Sequence, residues 1–128
     1  MCPISSALDF LGDKWSLLIV RDIMFKHKNT YGEFLASDEK IATNILADRL
    51  VQLVAQGILS KSEHPENRVK NVYRLTDKGL DLMPLLMEVI VWSDKYLEIS
   101  APGHALAGKI KTDRPGLIQR LTEELGRY

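Results

Sequence analysis

The stretch Ile41 to Leu59, IATNILADRLVQLVAQGIL, decides how the rest of the chain is read. Leu46, Leu50 and Leu53 recur at the spacing of one helical face, while Asn44, Ala47, Asp48 and Val51 fall roughly opposite. That pattern predicts a helix over Ala42 to Gln56 with one face anchored and one presented. Gly57 stands where such a helix stops, and Ile58-Leu59 opens a strand-like run. The order is helix, glycine, hairpin. Periodicity alone equally allows an ordinary core helix with an incidental polar side.

Upstream, Pro3 to Leu11 carries Ile4, Ala7, Leu8 and Leu11 on one side and ends at Gly12. Asp13 is a good N-cap for a second helix, Lys14 to Met24, whose Trp15, Leu18, Ile19 and Ile23 share a face that Leu17 and Val20 broaden. Trp15 therefore reads as core. Lys26 to Asn29 reads as a polar loop with an exposed His27, and Thr30 as the cap of a brief helix Tyr31 to Leu35. Ser37 to Lys40 is a charged turn. The two helices on either side of it make a helix-turn-helix.

Downstream, Leu59 to Glu63 and Val69 to Leu75 read as strands joined by His64-Pro65-Glu66-Asn67-Arg68. In the second strand Tyr73 and Leu75 alternate with Lys70, Val72 and Arg74, which predicts one set on the core and the other toward solvent. A hairpin beside a helix-turn-helix is a wing, so the expected fold is mainly α with a small β-hairpin: a winged helix-turn-helix. Thr76 should cap a helix running from Asp77 toward Ile99, bent at Pro84. Beyond Pro84 the run LLMEVIVWSDKYL is apolar nearly all round, which calls for cover by a second subunit or by the C-terminal tail. Ser100 to Gly108 is small and turn-rich and reads as a loop, and Pro115 to Leu125 as a final amphipathic helix ended by Gly126.

Composition bounds the function. The chain has 128 residues, 45% hydrophobic and 27% charged, enough for one real core and unlike a disordered chain. Its apolar run from Leu82 to Trp92 is too short to span a bilayer, and no basic segment leads into an apolar one at the start, so no membrane partner and a cytoplasmic location are expected. The single cysteine, Cys2, excludes an internal disulfide and a thiolate zinc cage. No cofactor or metal is expected. Seventeen basic residues balance seventeen acidic ones, which argues against nonspecific coating of nucleic acid. Between Ala42 and Leu75 there are five basic and three acidic residues, a small local excess. His27, His64 and His104 form no triad, metal set or phosphate loop, so no enzyme is expected.

Taken together in order, Cys2-Pro3, Ala7-Leu8, Gly12, Lys14-Trp15, Leu18-Ile19, Arg21-Asp22, Tyr31-Gly32-Glu33-Phe34, Ile41 to Leu50, Gly57-Ile58, Pro65-Glu66, Tyr73, Leu75-Thr76, Gly79 and Trp92 resemble the HxlR-type winged helix-turn-helix transcriptional regulators, relatives of the MarR group. The resemblance covers Cys2 to about Tyr96. It implies a homodimer through N- and C-terminal helices, with two wing-bearing heads on double-stranded operator DNA. On that basis residues 1–99 form the winged helix-turn-helix domain with its dimerisation helices, and residues 100–128 a loop and helix packing on it.

Carried over by position, Ala42 to Gln56 becomes the recognition helix and Arg68 and Lys70 fall in the wing. Many relatives begin this helix with Ser-Pro and a basic residue, whereas here stand Ala42, Thr43 and Asn44, so base preference does not transfer. Asn44 can pair with an adenine edge, Thr43 can donate to a base or phosphate, the Ala47 methyl can pack on a thymine methyl, and Asp48 can accept from cytosine or repel a wrong register. Arg49 is open between a phosphate contact and a salt bridge to a neighbouring helix. Tyr31 stands at a phosphate-facing helix start. Cys2 occupies the position that some relatives use to sense oxidants or electrophiles. The rival expectation is a winged-helix module that docks protein instead of DNA, favoured by the balanced charge.

Overall fold

The computed structural model describes residues 1–126, and the chain divides into two compact units, Met1–Gly79 and Leu80–Tyr128. The first holds α1 (Pro3–Leu11), α2 (Lys14–Lys26), α3 (Tyr31–Leu35), α4 (Thr43–Ala55), β1 (Leu59–His64) and β2 (Asn67–Leu75). A single turn, α5 (Asp77–Leu80), leads in sequence to α6 (Met83–Tyr96), α7 (Ala101–Thr112) and α8 (Arg114–Leu125).

In the first unit the helix starts obey their caps. The Asp13 carboxylate accepts from the Trp15 amide (2.8 Å) and the Ser16 hydroxyl (2.7 Å), which sets the first turn of α2. Thr30 and Glu33 close a reciprocal capping box on α3. The apolar faces then meet. Ile19, Val20, Ile23 and Met24 of α2, Phe34 of α3, and Leu46, Leu50 and Leu53 of α4 are all buried, the last three as their spacing requires. Each such side chain stabilises the fold by about 1.5–3 kcal/mol relative to exposure.

The turn between α3 and α4 is held by charge. Asp22, 2% exposed, accepts from the Ser37 hydroxyl and from Arg21 (Nη2 at 2.6 Å), and Lys28 donates to the same Ser37 oxygen (2.8 Å). Arg21 also grips Glu39 with both terminal nitrogens, at 2.7 and 2.8 Å. So Ser37 to Lys40 is more than a charged turn: Ser37 is buried and Glu39 is pinned to α2. Nor is His27 an exposed loop residue. It is partly buried and ends α2 in the left-handed region, φ 54°.

At the end of α4, Gly57 takes φ 74°, the Ile58 amide returns to the Leu53 carbonyl (3.0 Å) and the Gly57 amide to that of Val54 (3.0 Å), a Schellman ending that turns the chain into β1. β1 and β2 pair antiparallel from Leu59 opposite Leu75 to Glu63 opposite Asn71, with an irregularity between Glu63 and His64. The expected alternation along β2 fails at its base. Val72 and Tyr73, neighbours that point to opposite faces, are both buried, so both faces of the hairpin are covered there. Phe34 lies against Tyr73 with ring centroids 6.2 Å apart, and the Tyr73 amide donates to the Asn29 carbonyl (2.8 Å).

Two further expectations are corrected. Pro84 does not bend one long helix; the chain breaks after Leu80 and Pro84 lies in the first turn of α6. A proline there costs nothing, because the first amides of a helix have no intrahelical acceptor. Ser100 to Gly108 is no loop either. The Ser100 hydroxyl accepts from the Gly103 amide (3.2 Å), Pro102 sits in the first turn, and α7 continues through Gly108 with Ala107 and Ile110 buried. The cap and the apolar spacing outweigh two exposed-prone glycines.

Within the second unit α7 lies on α6. Asp94 of α6 accepts from His104 Nδ1 (2.6 Å) and Lys111 (3.1 Å) of α7, His104 foremost among the contacts that lower its carboxyl below the usual range, and Arg114 at the start of α8 pairs with Glu88 (2.7 Å). Met83, Leu86 and Met87 are buried, while Leu85, Val89, Trp92, Tyr96 and Leu97 remain exposed. Among the described residues, no helix is long and apolar enough to cross a membrane.

These contacts set how the chain should respond to substitution and to acid. A Cβ added at Gly79 would run into the Ile58 carbonyl oxygen, whereas Gly32 has open space. Gly79→Ala should therefore lower the unfolding free energy by about 1–3 kcal/mol, and Gly32→Ala should be neutral or stabilising by up to about 1 kcal/mol, both read by urea unfolding. The Arg21 hydrogen bonds hold the Glu39 carboxyl down at about 2, against 4.5 ordinarily. A depressed carboxyl contributes stability that is complete above pH 4.5 and lost as the pH falls through about 2. The stability gap between the wild type and Arg21→Met should therefore narrow across that window.

Candidate nucleic-acid interface

Burial of Leu46, Leu50 and Leu53 leaves the other side of α4 to solvent: Thr43, Asn44, Ala47, Asp48, Val51 and Gln52 are all exposed. One helical face thus carries an amide, a hydroxyl, a methyl and a carboxylate, the groups that read base edges in a major groove. Val51 is visible in the periodicity, but neither it nor Gln52 was among the expected contacts. The signal for Gln52 is its place one turn beyond Asp48.

The charged members of this face are not loose. Arg49, with a quarter of its side chain exposed, donates through Nε to Asp13 Oδ2 (2.8 Å) and through Nη1 to Asp48 Oδ2 (2.5 Å), and Gln52 Nε2 donates to the same Asp48 oxygen (3.0 Å). Of the two readings open for Arg49, the salt bridge to a neighbouring helix is the one present. Desolvation pushes the Asp13 carboxyl up, but hydrogen bonds from Ser16, Trp15 and Arg49 outweigh it and hold it below its ordinary value.

Tyr31 is 37% exposed, and its hydroxyl donates to the Thr43 carbonyl (3.3 Å), linking the start of α3 to the start of α4. Thr30, Tyr31 and Gly32 face Val69, Lys70 and Tyr73 of β2 across an open groove of about 360 Å³. Arg68 and Lys70 are exposed in strand β2, Lys70 as expected and Arg68 instead of in the expected loop, because the turn contracts to Pro65-Glu66. The Glu66 amide donates to His64 Nδ1 (3.1 Å) and the Val69 amide to Asn67 Oδ1 (3.1 Å), which orders the tip. Val69, 91% exposed beside these cations, is a wing residue that no motif or spacing in the sequence singles out. So the structure brings Tyr31 to Thr43 and, across the groove, to Lys70; Cys2 is exposed at the start of α1, where the Ser5 and then the Ile4 amide push its thiol down. Among the described residues no group of His, Cys, Asp or Glu could hold a metal ion.

A profile of the HxlR-like helix-turn-helix family matches residues 10–101. The HTH-type transcriptional regulator YodB of Bacillus subtilis (strain 168) is 34% identical over 99 residues, covering 77% of this chain and 88% of YodB. Its reduced form superposes with a TM-score of 0.63, at 33% identity, over 77% of this chain and 96% of that one. The candidate transcription factor PA1607 gives a TM-score of 0.69 and 41% identity over 78% of this chain and 68% of its own. The redox regulator HypR in its oxidized form gives 0.64 and 28% over 77% of this chain and all of that one. With a helix-turn-helix, a two-stranded wing and relatives of this kind, the chain belongs to the HxlR-like helix-turn-helix family and is a DNA-binding transcriptional regulator.

Proposed function

We propose that the protein acts as a homodimer on an inverted-repeat operator in the cytoplasm, each copy laying α4 in a major groove and its wing against the neighbouring backbone. The observation that carries this reading is the unbroken exposed face of α4 beside exposed wing cations. Thr43, Asn44, Ala47 and Asp48 face base edges, Arg68 and Lys70 meet phosphate, and Tyr31 stands at the edge of the groove that a phosphate would enter. Support for pairing comes from the exposed side chains Ile4, Leu8 and Phe10 of α1 and from Leu85, Val89, Trp92 and Tyr96 of α6. Exposed apolar side chains in such number on a lone subunit are a marker of an interface. Half-sites then lie about one helical turn, roughly 34 Å, or a multiple of it apart. On this reading residues 1–99 supply the head and the dimerisation helices, and residues 100–128 the C-terminal helices.

Cys2 is the proposed redox-responsive position. Its exposure and lowered thiol favour the reactive thiolate, and HypR is a redox regulator.

Two outcomes are expected. In titrations of an operator against random duplex, Asn44→Ala should lose affinity mainly for the operator. Lys70→Ala should weaken both and reduce the salt slope by about one. Equal losses for Asn44→Ala, or an unchanged slope for Lys70→Ala, would remove these assignments. Trp92→Glu should shift the sedimenting species to a single subunit and turn a symmetric footprint into weak, half-site protection; a symmetric footprint from a monomeric wild type would overturn the pairing.

A further inference from the structure

The acidic residue on the reading face is built into a brace. Both hydrogen bonds on the Asp48 carboxylate land on Oδ2, one from Arg49 Nη1 (2.5 Å) and one from Gln52 Nε2 (3.0 Å). Among the described residues none lands on Oδ1. Arg49 does not swing freely, because its Nε is fixed to Asp13 Oδ2 (2.8 Å). That oxygen is held in turn by the Ser16 hydroxyl (2.7 Å), and the other Asp13 oxygen by the Trp15 amide (2.8 Å). A side chain that is half exposed on a recognition helix is thereby tied, through Arg49, to Asp13, the N-cap of the core helix α2.

Such bracing has a chemical consequence. An ionised carboxylate only accepts hydrogen bonds. In the major groove cytosine offers the N4 amino donor, whereas guanine shows two acceptors, thymine an acceptor and a methyl, and adenine a donor beside an acceptor. A flexible carboxylate could turn away from an acceptor and tolerate it. One fixed by Arg49 and Gln52 on one oxygen presents the other at a set place, where an acceptor on the base is repelled.

From this geometry we infer that Asp48 is a specificity-determining residue that demands cytosine at one position of each half-site, and that Arg49, Gln52 and Asp13 are positioning residues that hold it there. The inference rests on the proposed reading of α4 as the element in the groove. It also accounts for an arginine on a DNA-reading helix whose guanidinium is paired with two carboxylates instead of standing free for phosphate.

The test is selection from a randomised duplex library by the full-length wild type, Asp48→Asn and Arg49→Met, with unfolding curves to establish that each variant folds. The wild type should enrich an inverted repeat with cytosine at one position per half-site, favoured about 5- to 150-fold over other bases. Asp48→Asn should change the preferred base at that position alone, toward adenine, since an amide both donates and accepts. Arg49→Met, which keeps length and loses the brace, should flatten the preference at the same position and leave the other positions intact. Identical preferences for the wild type and Asp48→Asn would overturn the inference while leaving DNA reading by α4 standing. An unflattened Arg49→Met profile would overturn the positioning role. A wild type without any sequence preference would overturn both this inference and the proposed function.

Discussion

The Asp22 carboxylate, nearly closed off from water, has to be given donors by the protein, and those donors come from two places: Arg21 beside it on α2, and Ser37 in the turn between α3 and α4, whose hydroxyl oxygen in turn accepts from Lys28. Removing one partner of such a group typically costs about 3–5 kcal/mol, far more than a surface ion pair contributes. The turn therefore has one low-energy seat. Glu39, gripped bidentately by Arg21, adds a second point of attachment, and two points on a short segment fix its direction as well as its position.

That seat determines the orientation of α4. The helix buries three leucines at i, i+4 and i+7, which settles its rotation about its own axis, and the turn settles where it begins. Its far end is set by Gly57, whose positive φ lets the chain reverse into β1 without strain. Asp13 then serves twice, as the cap that starts α2 and as the anchor for Arg49. One carboxylate thus couples the start of a core helix to the exposed face of α4. Unlike the leucine contacts, this coupling is polar, directional and partly open to solvent.

Most of this arrangement was legible in the residues. Helix starts at Asp13 and Thr30, the leucine spacing of α4, and Gly57 as a stop are local signals, and local signals survive into the structure because caps and periodicity act over a few residues. The failures were of two kinds. At Pro84 and at Ser100 to Gly108 the same residue types allow opposite readings, since proline and serine start helices as readily as they break them, and only packing decides. At Val72 and Tyr73, and at Ser37, burial depends on residues distant in sequence, which no window of a few residues contains. The exposed face of α4 was readable, because it is the complement of a periodic buried one. The pairing of Arg49 with Asp13, thirty-six residues away, was foreseeable only as one of two options.

The solvent-facing row Leu85, Val89, Trp92 and Tyr96 bears on how such a protein would answer to its own abundance. With pairing through this row, the species that occupies an operator forms in proportion to the square of the amount of chain while most subunits are single. Doubling expression would then raise occupancy close to fourfold at the dilute end, a steepness supplied by helix packing alone. The sharpness of that genetic response would be set by the side chains on α6, and its address on the genome by those on α4.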